Sequence, residues 1–396
     1  MRNIILFDDE SRERMLPISY TRPVAEIRTG ILTIRERWEK LLKGTASFIT
    51  TEYLSEKYPI HLASDNYVIN GAVMPNDRLV RLIEQLEPNE ALMKDGDLIA
   101  ARLNQAQFDH LFREESVDEI IGIDLEETPI LHLSYPWDLF LSLRTAIEYD
   151  FQMVTRGRRS HPIPSNNQVL APDNIFVEEG AQITCAILNA QSGPIYIGKN
   201  AQIMEGAVVR GPVSIGEGSV IKVGAKIYGP TAIGPHCKVG GEVKEVVFLG
   251  HANKAHEGYL GNSVIGEWCN LGAGTSVSNL KNNYSNVRTW NYSSNSMEDT
   301  GLQFLGLVMG DHSKAGINSM FNTGTSVGVA ANIFDAGYPP KFIPSFTWGG
   351  ASGLSTHRLD EAIETAKRVI ARRDIIMSPE DQAILQQVYD LSASYR

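Results

Sequence analysis

Lys244, Lys254, His256, Tyr259, Asn270 and Asn279 fall within one short stretch and are of the kinds that acyl transfer to an amine requires. Such a reaction needs a base to take a proton from the attacking ammonium and a donor to hold the thioester oxyanion. A phosphorylated acceptor also needs cations to grip its phosphate. Histidine titrates near neutrality and is the natural base in this set. A lone histidine is more often structural than catalytic, so the reading rests on the whole constellation.

A repeat must position these groups. Aliphatic residues recur every six positions at Ile197, Ile203, Val209, Ile215, Ile221, Ile227, Ile233 and Val239. Four residues after each anchor stands a small or β-branched residue, from Ala201 and Ala207 to Cys237 and Val243. A six-residue period fits neither an α-helix nor a simple hairpin. It fits a parallel β-helix whose coil has three flat sides, each a short strand and a turn, with the anchors pointing into a triangular core. The pattern returns at Ile265, Leu271, Met309, Ala315, Phe321 and Val327. The gaps predict insertions around 245–260 and 276–305, the second rich in asparagine (Asn279, Asn282, Asn283, Asn286, Asn291, Asn295). Inserted loops on a rigid scaffold are where function usually sits.

The stretch Lys254-Ala255-His256-Glu257-Gly258-Tyr259-Leu260-Gly261, followed by Asn270-Leu271-Gly272-Ala273-Gly274-Thr275, resembles the acetyltransferase half of the bifunctional family that makes UDP-N-acetylglucosamine. Asn253-Lys254-Ala255-His256, Gly261 to Trp268 and Pro339 to Phe346 extend the likeness to a divergent bacterial branch of that family, with a nucleotidyltransferase domain in front. The resemblance implies a left-handed β-helix, a homotrimer with sites between subunits, and acetyl-CoA as donor to an amino-sugar phosphate, glucosamine 1-phosphate in the family. It implies His256 as general base and Glu242 as its neighbouring carboxylate. Lys244, Tyr259, Asn270 and Asn279 are then substrate ligands, and Ala273 a coenzyme-A contact. The family's phosphate-gripping arginine does not carry over cleanly: Lys226 or Tyr228 stands in its region. A further family lysine is displaced, with Lys281 nearest. A scaffold or sugar-phosphate-binding protein that has kept the solenoid without its chemistry is an alternative.

A rival chemistry comes from β-helix carbonic anhydrases, which resemble this repeat and bind zinc through histidines, two of them spaced as His251 and His256 are. An open catalytic zinc site commonly uses three histidines. Where that family carries its third, Ile215 stands here, and His236 is the nearby alternative.

Residues 1–150 read differently. Ile4 to Phe7, Tyr67 to Ile69 and Ile120 to Ile123 look like strands. Ile31–Leu42, Leu79–Leu86 and Trp137–Phe151 have helical spacing, so an α/β domain is expected. The segment Arg14 to Glu26 resembles the start of sugar nucleotidyltransferases, with Arg14 at the position of that family's loop arginine. The family's glycine-rich loop is replaced by Asp8 to Glu13, its lysine by Val24, and its magnesium-binding Gly-Asp by Asn70-Gly71. Carboxylates repel phosphates, and a neutral asparagine is a weak Mg²⁺ ligand. Either Asp8, Asp9, Arg12 and Arg22 form a rebuilt site, using a nucleoside triphosphate and Mg²⁺, or the domain is a remnant. The expected organisation is an α/β domain over 1–150, a basic proline-containing linker over 151–166, a hexapeptide-repeat β-helix over 167–345 and C-terminal helices within 346–396.

A formal charge of -11 argues against nonspecific binding to nucleic acid or an anionic membrane surface. With 43% hydrophobic and 21% charged residues the chain reads as globular. The N-terminal apolar run is too short for a signal peptide, no run reaches membrane-spanning length, and a cytoplasmic protein is expected. Cys185, Cys237 and Cys269 show no C-x-x-C pairing.

Overall fold

The computed structural model describes residues 1–112, 120–125 and 128–396. They pack as two compact units. One comprises Met1–Met15, Arg22–Ile27 and Leu32–Ser134, the other Leu16–Thr21, Arg28–Ile31 and Tyr135–Arg396.

The first unit is built on a six-stranded sheet in the order Gly44–Ile49, Arg2–Phe7, Asp65–Asn70, Asp97–Asn104, Glu90–Lys94, Ile121–Asp124. The first three strands are parallel, which sets their carboxyl ends at Ile49, Phe7 and Asn70 side by side. Ile4, Ile5 and Leu6 are all buried, as a central parallel strand covered on both faces requires. The helix expected from Ile31 starts at Ile34 instead. Thr33 closes a capping box: its side chain accepts the Glu36 N–H, and the Glu36 carboxylate accepts the Thr33 N–H. A helix over Asp77–Gln85 is capped by Asn76, whose Oδ1 accepts the Leu79 N–H at 2.9 Å. The short strand Leu131–His132 pairs with Val73–Met74 and so brings His132 to the carboxyl end of the sheet.

In the second unit the chain winds as a parallel β-helix. Each anchor lies beside its equivalent one coil away: Ile197, Ile215 and Ile233 on one side, Ile203, Ile221 and Val239 on the next, Val209, Ile227 and Val243 on the third. All of these are at most 1% exposed. Burying an aliphatic side chain contributes about 1.5–3 kcal/mol, so the column of anchors is the main stabilising element.

The period changes after Val239. Counting six places the next anchor at Glu245, yet Val243 is the buried residue and Glu245 turns a corner with φ 57. In the two preceding coils that corner is turned by two residues, Gly211-Pro212 and Gly229-Pro230. Here Glu245 turns it alone, and Asn262 (φ 45) does so one coil later. The strands Glu242–Phe248 and Tyr259–Ile265 therefore run round the corner unbroken. The insertion expected around 245–260 does not exist: those residues are a tightened coil, in which a left-handed residue replaces the Gly-Pro turn. The second gap does hold an excursion, the antiparallel hairpin Arg288–Asn291 with Ser296–Asp299. Winding resumes when Leu307–Met309 pairs with the Val264–Ile265 strand end. The C-terminal helices span Leu359–Ala371 and Pro379–Leu391. Ser378 caps the second, with Pro379 in its first turn. Among the described residues no helix is long and apolar enough to cross a membrane.

Candidate functional site

Parallel register builds a row of charged and polar side chains on one outer face of the β-helix. Lys226 lies beside Glu242, and Glu242 beside Tyr259. In the next register position Tyr228 lies beside Lys244, and Lys244 beside Gly261. Side chains alternate about a strand, so Val243 and Leu260 point into the core while their neighbours face out. His256 is exposed and stands in the turn that leads into Tyr259.

Lys254 supports that turn. It is 1% exposed, and its Nζ donates to the carbonyls of Gly240 (3.2 Å) and His256 (2.7 Å). Burial pulls the ammonium down to about 8, with the Glu257 charge acting in the opposite sense. Lys254 is therefore not one of the reactive groups that its sequence position suggests. The structure makes it an internal strut that fixes the backbone at His256. The neighbouring Gly241, at φ 71, leaves room for it, since a Cβ there would come within 2.8 Å of the His256 carbonyl and 3.0 Å of Lys254 Nζ.

Tyr259, Asn279, Asn262 and Glu245 form a hydrogen-bonded chain. Asn279 Nδ2 donates to Tyr259 Oη (3.1 Å) and to Asn262 Oδ1 (2.7 Å), and Asn262 Nδ2 donates to Glu245 Oε2 (2.6 Å). Glu245 Oε1 lies 3.5 Å from Lys244 Nζ. Burial raises the Tyr259 phenol; the Asn279 bond opposes this, and the Glu242 and Glu245 charges add to it. Gly261 permits the close approach: a Cβ there would fall 2.4 Å from Tyr259 Oη and 2.8 Å from Asn279 Nδ2.

Asn270 lies on a different face of the coil, between Asn253 and Lys314. Ala273 stands in the turn one coil beyond His256, where Gly274 N–H donates to the Glu257 carbonyl and Ala273's carbonyl accepts the Asn318 N–H. Lys281 Nζ is turned back onto the Asn286 carbonyl, just ahead of the Arg288–Asn291 hairpin strand.

His251 and His256 flank the strand Asn253–Lys254 and occupy different turns. His251 belongs to an aromatic stack at one corner, 5.0 Å from His236 and 4.0 Å from Trp268. Trp268 stacks in turn on His312 at 6.4 Å. Burial pulls His251 down to about 4. Among the described residues no group of three or more His, Cys, Asp or Glu could hold a metal ion. Burial also pushes the Cys237 thiol up to about 12, as expected of a packing residue.

In the first unit Asp8, Asp9 and Asn70 do meet, at the carboxyl ends of the parallel strands. Asp8 accepts from the Val24 N–H (2.8 Å) and Thr50 Oγ1 (2.6 Å), with Arg12 Nε 3.4 Å away. Burial raises its pKa despite these partners. Asp9 accepts from the Ser11 N–H and hydroxyl, from Asn70 Nδ2 (2.7 Å) and from His132 Nε2 (2.8 Å). Burial pushes it up, but the bonds from His132, Ser11 and Asn70 outweigh this and hold the carboxyl well below its ordinary range. The Asn70 Oδ1 accepts the Ala72 N–H. Arg14 lies 3.7 Å from the Glu10 carboxylate, and Arg22 is buried. Asp9 accepts two hydrogen bonds on each carboxylate oxygen and so offers a Mg²⁺ ion no open lone pair, whereas each Asp8 oxygen and Asn70 Oδ1 accept one. His132 is a member of this cluster that local sequence gave no sign of.

Comparison with known proteins adds to the geometry. Residues 4–159 match the family described as sugar nucleotidyl transferase, and residues 194–229 the bacterial transferase hexapeptide repeats. The chain is 33% identical over 135 residues to the bifunctional protein GlmU of Methanocaldococcus jannaschii, covering 34% of this chain and 28% of that one. It is 34% identical over 108 residues to the bifunctional sugar-1-phosphate nucleotidylyltransferase/acetyltransferase of Sulfurisphaera tokodaii, covering 26% of each. The chain is a divergent relative of these bifunctional proteins. It matches only about a quarter of the curated relatives' own length. Among solved structures, an Arabidopsis UDP-N-acetylglucosamine acyltransferase aligns with TM-score 0.31 at 13% identity, covering 59% of this chain and 98% of that one. The polySia-specific acetyltransferase NeuO aligns with TM-score 0.28 at 14% identity, covering 53% and 99%. The nucleotidyl transferase match covers the first unit and runs into the second as far as residue 159, and the hexapeptide match lies within the coil.

Proposed function

We propose that this chain transfers the acetyl group of acetyl-CoA to the amine of a phosphorylated amino sugar, with glucosamine 1-phosphate the first acceptor to test. The observation that carries the reading is the stacked row Lys226, Glu242, Tyr259, with exposed His256 in the turn entering it. In this reading His256 takes a proton from the acceptor ammonium and the freed amine attacks the thioester carbonyl. The tetrahedral intermediate then collapses with the coenzyme-A thiolate as leaving group. Glu242 orients or assists the base. Lys226, Lys244 and Tyr259 receive the sugar phosphate, and Asn279 places the sugar. Coenzyme A runs past Ala273.

Asn270 faces away from this row within one chain. The reading takes from the family resemblance a homotrimer in which a neighbouring copy brings its Asn270 to each site. Lys281, held within its own loop, is left without a substrate contact. A second activity, nucleotidyl transfer by the first unit, is favoured by the family match over 4–159 and opposed by the commitment of Asp9 to internal bonds on both its oxygens. The test is a thiol-release assay with acetyl-CoA and a panel of amino sugars with and without phosphate, run beside light scattering. Release restricted to phosphorylated amino sugars by a trimer supports the reading. A fully active monomer refutes the shared site.

A further inference from the structure

The chain from Glu245 to Tyr259 has a direction, and the direction is forced. A carboxylate can only accept hydrogen bonds, whereas an asparagine amide presents an acceptor on one side and two donors on the other. Glu245 therefore selects the amide nitrogen of Asn262, at 2.6 Å. Asn262 is 3% exposed and turned toward this corner by its left-handed backbone, so its Oδ1 must face Asn279. An oxygen there demands a donor, so Asn279 turns its nitrogen inward, at 2.7 Å. The second N–H on that nitrogen reaches Tyr259 Oη at 3.1 Å. The phenol oxygen is thereby engaged as an acceptor from within the protein, and its own proton is left to donate outward. Reversing either amide would set an oxygen against an oxygen somewhere along the chain, at a cost of about 1–3 kcal/mol for each buried group left unsatisfied.

We propose that Glu245, acting through Asn262 and Asn279, holds Tyr259 as a hydrogen-bond donor to an anionic oxygen of the ligand, the phosphate of the sugar phosphate. Glu245 and Asn262 are positioning residues, and the assignment rests on the reading of this face as the acceptor site. It also accounts for the corner itself. A glutamate in a left-handed conformation costs about 1 kcal/mol or more, and such strain persists where the surroundings require it. Glu245 lies opposite Asn262 on the adjacent coil, between the pairs Lys244–Gly261 and Val246–Ser263.

The experiment is calorimetric titration of the full-length chain with glucosamine 1-phosphate and with unphosphorylated glucosamine. The proteins are wild type, Glu245→Met, Glu245→Gln, Tyr259→Phe and the Glu245→Met/Tyr259→Phe pair. Glu245→Met should weaken binding of the phosphorylated sugar about tenfold, the usual worth of a hydrogen bond to a charged group. Glu245→Gln, which keeps an acceptor oxygen, should restore most of that loss. In the Tyr259→Phe background Glu245→Met should have no further effect, as expected of residues in one network. Wild-type affinity in Glu245→Met, or an undiminished penalty in the Tyr259→Phe background, overturns the assignment. So does a wild type that does not bind the phosphorylated sugar. Turnover plays no part in this readout: a chain that shows the coupling yet transfers no acetyl group refutes the acetyl-transfer reading alone.

Discussion

Replacing Lys254 by methionine separates two effects that this buried ammonium combines. The folded group titrates at about 8 against an ordinary 10.5, because burial disfavours its charge. Between those values the unfolded chain holds a proton that the folded chain has released, so stability must rise with pH across that window. Below about 8 both states are protonated and the burial penalty is present in full. At about 1.4 kcal/mol for each pH unit the rise amounts to about 3 kcal/mol. Methionine has nearly the same length and does not titrate, so Lys254→Met should lack this slope. The variant also leaves the Gly240 and His256 carbonyls without their donor, at 3.2 and 2.7 Å in the wild type. That costs about 1–3 kcal/mol per carbonyl, offset at neutral pH by the ammonium no longer buried. At neutral pH the two proteins should therefore differ little. Near pH 10.5 the wild type, whose neutral amine still donates, should lead by about 3 kcal/mol more than at pH 7.5. Urea unfolding followed by circular dichroism across that range reads the difference directly. Parallel stability curves for the two proteins would show that Lys254 is not a buried, charge-disfavoured strut. If the strut also fixes His256, the variant should lose kcat with little change in the acetyl-CoA KM.

Other consequences are open to test. Gly261→Ala would set a methyl group 2.4 Å from Tyr259 Oη, so it should raise the KM for the phosphorylated acceptor about tenfold or more while the fold persists; an unchanged KM would remove Tyr259 from the site. His251, held down to about 4 from an ordinary 6.5 by burial, contributes stability that is lost as pH falls through that window. His251→Asn, which tolerates the left-handed backbone, should therefore flatten the acid side of a thermal-melt profile by up to about 3 kcal/mol. Given UTP, Mg²⁺ and N-acetylglucosamine 1-phosphate, the chain should release pyrophosphate slowly or not at all, because both oxygens of Asp9 are filled by internal bonds and Asn70 is neutral. Release at an ordinary enzymatic rate that Asp8→Ala plus Asp9→Ala abolishes would show a rebuilt site instead.

The solenoid was legible because its information is local and periodic: Ile197 to Val239 repeat at a spacing that only a three-sided coil satisfies. The same counting failed at Glu245. Period alone does not distinguish a shortened corner from an inserted loop, and the decision depends on Val243 finding a place beside Ile227 one coil away. The turn containing His256 and Tyr259 could be read from contiguous residues. Glu245 and Asn262 could not, since a glutamate and an asparagine at outward positions look like solvated surface until the register sets one above the other. The roles of Asp8 and Asp9 were harder still. His132, the partner that holds Asp9, lies 123 residues away and carries no motif. The start of the helix at Ile34 was within reach, for Thr33 and Glu36 have capping-box spacing, but apolar periodicity drew the boundary back to Ile31.

The most direct measurement compares wild type and His256→Ala for thiol release from acetyl-CoA in the presence of glucosamine 1-phosphate, with circular dichroism confirming that both are folded. Wild type should turn over, and His256→Ala should lose on the order of 10²–10⁴ in kcat, as removal of a positioned general base does. A His256→Ala protein with wild-type turnover contradicts the assignment of the base. A folded wild-type trimer that releases no thiol with any phosphorylated amino sugar contradicts the proposed function itself.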